Sequence, residues 1–107
     1  MKKLFLNFCC NLIFLIFASI IQANADELFS KGKEVFLGAG NCAACHMLSD
    51  AGSNAMVGPN LNGIRPDIQR IIMAVRNGIG VMPAMEGILT DGEIEACLLY
   101  TSDAADE

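Results

Sequence analysis

Cys42-Ala43-Ala44-Cys45-His46 is the stretch of this 107-residue sequence whose residue types and spacing can do chemistry as a unit. Two thiols three positions apart can each add across a vinyl group of a haem, giving two thioether bonds. The two-residue gap between them suits the separation of the vinyls. The imidazole that follows then falls beneath the iron, where a ring nitrogen can ligate it. Two other chemistries compete for the same residues. A Cys-x-x-Cys pair can act as a redox dithiol, but that use expects a βαβ pattern around it, and none is visible. A structural zinc site needs further Cys or His ligands. His46 is the single histidine of the chain. The pattern therefore favours covalent haem, with Cys42 and Cys45 as tethers and His46 as an axial ligand.

An electron-carrying iron is helped by a second strong ligand, since a filled coordination sphere changes little between oxidation states. A methionine thioether favours the ferrous form and raises the potential. Beyond Met1 the chain offers Met47, Met56, Met73, Met82 and Met85. Met47 adjoins His46 and does not readily reach the opposite face of a haem. Met56 follows close behind the haem motif, and Met73 falls within a helical pattern, off its apolar stripe. Met82 and Met85 remain. Met82 precedes Pro83, which biases it to an extended backbone, and Gly78 and Gly80 leave the surrounding loop free to approach the iron. Met as ordinary packing and an open sixth position are the alternatives.

These residues need elements to position them. Asp26 can cap a first helix that carries Leu28, Gly32, Val35 and Phe36 at helical spacing, with Gly38 and Gly40 stopping it. A second helix is predicted with Pro66 in its first turn, an apolar stripe of Ile68, Ile71, Ile72 and Val75, and Asn77-Gly78 as terminator. A third opens at Thr90, with Glu93 completing a capping box and Leu89 and Ile94 as a hydrophobic staple. Residues 47–65 and 78–87 read as loops without periodicity, and no strand signal survives beyond a few residues. The expected class is all-α, with long loops that need something to pack against.

The N-terminus is set apart by composition. Lys2 and Lys3 precede an almost wholly apolar run from Leu4 to Ile21, and Ala23-Asn24-Ala25 supplies small residues for cleavage. That order predicts a secretory signal peptide over residues 1–25. An uncleaved anchor is the alternative, because 18 apolar residues can just span a bilayer. Loss of the leader removes Cys9, Cys10 and both lysines, leaving five basic residues against twelve acidic ones, a net charge of −7. Such a chain does not suit nucleic acid or anionic membranes, and is steered toward basic protein surfaces. Its small size calls for a staple, and with two of the three remaining cysteines in one motif a disulfide framework is not on offer.

The last eleven residues, Cys97 to Glu107, read CLLYTSDAADE. The string resembles the translation of a widely used sequencing-library adapter along its whole length, so residues 97–107 are expected to be a non-native tail and the third helix to be truncated after Ala96. Without Asp103, Asp106 and Glu107 the mature net charge becomes −4, and Cys97 is given no functional weight.

From Asp26 to Ala96 the sequence resembles the small class I c-type cytochromes. The residues that carry the resemblance are Gly32-Lys33-Glu34-Val35-Phe36, Cys42-Ala43-Ala44-Cys45-His46, Gly58-Pro59-Asn60-Leu61, Asn77-Gly78 through Val81-Met82-Pro83-Ala84, and Leu89-Thr90-Asp91 with Glu93-Ile94. The haem motif is highly specific; the others are individually weak but occur in the family's order. The resemblance implies a class I cytochrome c fold, three or more helices wrapped around one covalent haem c with its iron. It implies Pro59 offering its carbonyl to the second nitrogen of His46, and Met82 as the other axial ligand with Met85 as the alternative. It also implies a last helix packed across the first, a contact that truncation would leave incomplete. Arg65, Arg70 and Arg76 are expected to be solvated, one of them a candidate partner for a haem propionate. Asp67, Glu86 and Asp91 are expected to be surface or cap residues. No carboxylate pair or Ser/His/Asp set suggests hydrolysis. The function implied is electron transfer, without enzymatic activity, between larger redox proteins in an exported compartment, the periplasm or a thylakoid lumen, touching membranes only through partner complexes. A cytochrome subunit of a dehydrogenase or oxidase, and a gas-binding haem sensor with an open sixth site, are the rival readings.

Overall fold

The computed structural model describes residues 1–107. Helix α1 spans Lys2–Leu37 and ends at Gly38. A single 3₁₀ turn follows at Cys42–Ala44. Strands β1 (Met47–Leu48) and β2 (Ser53–Asn54) pair antiparallel, Met47 opposite Asn54 and Leu48 opposite Ser53. Helices α2 (Leu61–Ile64), α3 (Ile68–Asn77) and α4 (Asp91–Ala105) complete the chain. The class is all-α, as expected.

Several local expectations are corrected. Asp26 does not cap a helix; it lies inside α1. No glycine or proline occurs before Gly32, so nothing interrupts the helix between the apolar leader and the domain. The first helix is thus long and apolar enough to cross a membrane by length and composition, a test that a signal sequence near the N-terminus also meets. Pro66 lies one residue before the cap of α3 rather than in its first turn. The helix starts later because the Asp67 carboxylate accepts from the backbone N–H groups of Gln69 and Arg70, at 3.0 and 3.1 Å. The loop after the haem motif contains the two-residue strand pair and α2, elements too short to leave a period in the sequence.

The core joins α1, α3 and α4. Val35 and Phe36 of α1, Ile71 and Val75 of α3, and Ile94, Leu98 and Tyr100 of α4 are all buried, with Leu48, Leu61 and Leu89 closing the same cluster. The crossing of α1 and α4 depends on Gly32. A Cβ there would sit 2.1 Å from the Ala96 carbonyl oxygen and 2.4 Å from the Tyr100 Cβ, so only a hydrogen side chain lets the backbones approach this closely. Phe29 and Phe36 meet the Tyr100 ring edge-to-face, with centroids 4.9 and 5.7 Å away. The Tyr100 hydroxyl donates to Asp50 at 2.7 Å, and Lys33 pairs with the same carboxylate at 3.2 Å.

The contact between first and last helices is formed in this chain, and residues beyond Ala96 take part in it. Residues 93–105 contain no glycine or proline. Thr90 caps the helix as predicted, its hydroxyl accepting from the Glu93 N–H while the Glu93 carboxylate accepts from the Thr90 N–H. Helix α4 then runs on past Ala96 and buries Cys97, Leu98, Tyr100, Thr101, Ala104 and Ala105.

Candidate functional site

The site is assembled from turns that the helix ends set up. As α1 closes, the N–H groups of Gly38 and Gly40 donate to the carbonyls of Glu34 and Val35, each at 2.8 Å. Asn41 then takes a left-handed conformation, φ 50°, and redirects the chain into the 3₁₀ turn. Within it the Cys45 and His46 N–H groups both reach back to the Cys42 carbonyl, at 3.1 and 2.9 Å. Cys42 and Cys45 are thereby held one turn apart as free, half-buried thiols, with Cys42 packed against the core. Gly40 is buried, and a Cβ there would lie 3.1 Å from the Cys42 sulfur. Contact with the Cys97 thiol, then burial, pushes the Cys42 thiol above its ordinary pKa.

His46 is held from three sides. Its Nδ1 lies 2.9 Å from the Pro59 carbonyl oxygen. A carbonyl can only accept, so Nδ1 carries the proton and Nε2 is left with the lone pair that a metal needs. Gly58 lies flat against the ring; a Cβ there would come within 2.6 Å of the imidazole Cε1, and the Gly58 N–H donates to the Cys45 carbonyl at 2.7 Å. On the other side Ser53 donates through its hydroxyl to the His46 carbonyl, and the same hydroxyl oxygen accepts from the Leu48 N–H. The small strand pair is the scaffold for that bridge.

The methionines separate by exposure. Met56 is 84% exposed and Met73 61%, so both face solvent. Met47 lies in β1, next to His46 in the chain. Met82 and Met85 are partly buried and pack against the core cluster. The loop that carries them has glycines with positive φ at Gly78 (73°), Gly80 (57°) and Gly87 (81°). A tight hairpin sets Met82, whose N–H donates to the Ile79 carbonyl at 2.9 Å and whose carbonyl accepts from the Ile79 N–H at 3.2 Å. Met85 donates to the Val75 carbonyl of α3 at 2.8 Å. Gly78 is required where it stands: a Cβ would fall 2.5 Å from the Met82 carbonyl oxygen.

The residues present fit a covalent haem c. Two thiols lie one turn apart beside an imidazole whose free nitrogen is Nε2, while a glycine-bearing loop carries two partly buried thioethers, Met82 and Met85, that could serve as soft donors. Sequence reasoning missed the supporting contacts. Gly40 carried a signal, a small residue two positions before Cys42. Ser53 carried none, since its bond to His46 depends on a pairing of two residues per strand. Arg76, expected to be solvated, is instead ion-paired with Glu86 and Asp91.

Comparison with known proteins points the same way. The family model described as cytochrome c oxidase, cbb3-type, subunit III matches residues 27–100. A cytochrome c6 of Thermosynechococcus vestitus is 36% identical over 112 residues, covering 98% of this chain and 95% of that protein. A cytochrome c6 of Synechocystis sp. is 36% identical, covering 90% and 82% respectively. Among solved structures, the c-type cytochrome SorU from Sinorhizobium meliloti shares 50% identity with a TM-score of 0.70, covering 75% of this chain and 93% of that one.

Proposed function

The chain belongs to the c-type cytochromes, and from that premise we propose that it is an exported carrier with His46 and Met82 as axial ligands and no catalytic reaction of its own. As a member of this family it holds one covalent haem c and carries single electrons between larger redox proteins. The haem iron supplies the one-electron couple. The protein's part is to hold the couple still: Cys42 and Cys45 tether the ring, Pro59 holds the proton on Nδ1 of His46, and Gly58 leaves the imidazole room against the backbone.

The observation that carries the ligand assignment is the 2.9 Å bond between His46 Nδ1 and the Pro59 carbonyl. It orients the imidazole and raises the donor strength of its other nitrogen. Opposite it, Met82 is supported by its place at the end of a tight turn, by its partial burial, and by Pro83 behind it. In this reading residues 1–25 direct export to the periplasm, or to a thylakoid lumen, and are removed after Ala25. Residues 97–107 replace a native ending, which sequencing the gene past the Ala96 codon tests directly. The acidic mature chain docks on a basic patch of its partners, briefly and through a small interface.

The test is the visible spectrum of the matured protein in both oxidation states. Haem that stays with the chain under denaturing extraction, a low-spin spectrum and a far-red sulfur-to-iron band in the oxidised form are expected together. Protein that passes through a working maturation system, folds, and remains colourless would overturn the reading.

A further inference from the structure

The loop that carries Met82 and Met85 begins at Gly78, where α3 ends, and closes at Thr90, where α4 starts. Three glycines with positive φ lie along it, and backbone bonds between Ile79 and Met82, and from the Ile88 and Leu89 N–H groups to the Met85 carbonyl, shape its two turns. One side chain reaches across its opening. Arg76, in the last turn of α3, donates through Nη1 to the carboxylate of Glu86, just beyond the methionines, and to Asp91, the first residue of α4, at 3.1 Å. One guanidinium thus ties the start, the middle and the end of the loop. Its side chain is 34% exposed against 59% for Glu86 and 87% for Asp91, so Arg76 is the more sheltered partner of both pairs. The Met85 N–H bond to Val75 lies one residue away on each side from the Arg76–Glu86 pair, and the two together pin the second half of the loop to α3.

We propose that Arg76 is a positioning residue for the iron ligand: bridging Glu86 and Asp91, it holds the methionine loop closed and sets how often the sulfur leaves the iron. The proposal rests on the reading that a methionine of this loop is the sixth ligand. An exogenous ligand reads the closure directly. Imidazole binds the iron only when the loop is open, so its apparent Kd is its intrinsic Kd divided by the open fraction. Exposed pairs contribute little singly, but two on one guanidinium are lost together. Arg76→Gln is expected to bind imidazole to the oxidised protein roughly three- to fivefold more tightly than wild type. Glu86→Gln should shift it in the same direction, and Arg76→Lys should fall between wild type and Arg76→Gln. Adding Glu86→Gln to Arg76→Gln should change the affinity less than the two single effects combined. In the same variants the Met85 amide should exchange its hydrogen faster.

Wild-type imidazole affinity and wild-type exchange at Met85 in both Arg76→Gln and Glu86→Gln would overturn the clamp while leaving methionine ligation in place. Should wild type bind imidazole as tightly as Met82→Ala and Met85→Ala do, the ligand reading fails instead. The Met85 exchange rate then decides by itself whether Arg76 closes the loop.

Discussion

A single hydrogen bond at His46 separates this site from an ordinary surface histidine. Because the Pro59 carbonyl can only accept, the backbone dictates the tautomer of the neutral ring, and Nε2 is the nitrogen presented to a metal. On the methionine side, exposure separates the candidates. Met56 and Met73 point into water, while Met82 and Met85 are partly buried and pack against the core cluster. Between those two, Met82 has the stiffer approach. Met82→Ala is therefore expected to abolish the far-red sulfur-to-iron band of the oxidised protein and to let added ligands bind without competition. Met85→Ala should keep the band, with at most a small shift. The reverse pattern would reassign the ligand to Met85.

Among the elements, α4 is the one whose start is decided by a compact, testable device. The Thr90 and Glu93 groups satisfy each other's backbone donors, and loss of such an N-cap costs about 1 kcal/mol. Thr90→Ala should lower unfolding stability by about that amount in a denaturant titration at neutral pH. The device also has a pH sign. The Thr90 backbone N–H first, and its hydroxyl second, hold the Glu93 carboxyl below its ordinary value of 4.5. A carboxyl depressed in the folded state stabilises fully above its unfolded pKa and loses that contribution as pH falls through the lower, folded value. The gap between wild type and Thr90→Ala should thus be constant from neutral pH down to about pH 5 and narrow below 4.5. A gap that widened on acidification would refute the assignment. Helix α3 contributes differently, since its Asp67 cap and Gly78 terminator fix where the methionine loop departs.

For the whole molecule, the acidic balance matters more to encounter than to stability. With residues 1–25 removed as proposed, five basic residues face twelve acidic ones. Against a basic redox partner, the second-order rate of electron transfer should drop by about tenfold or more as salt rises from low to several hundred millimolar. Stopped-flow reduction at a series of ionic strengths measures it, and a salt-independent rate would exclude steering by charge. The same scale bears on the chain's end. Tyr100 is fully buried between Phe29 and Phe36, so any sequence that follows Ala96 has to fill that space with a large apolar side chain for α1 and α4 to pack as they do.

What the residues alone determined is the chemistry and the order of the parts. Two cysteines and a histidine at this spacing point to covalent haem attachment, because thioether and imidazole geometry is local to five residues. The α3 stripe, the Thr90 box and the stop at Gly38 are also legible, since helix periods and caps act within a few positions. The tertiary structure alone decided the rest. The closeness of Gly32 to Ala96, the Ser53 bridge to the His46 carbonyl and the reach of Arg76 to Glu86 and Asp91 join residues from 7 to 64 positions apart, and no periodicity or local propensity encodes such a pairing. They exist because helices that bury a shared apolar core bring residues distant in the chain together, where contacts follow from packing and not from spacing along the chain.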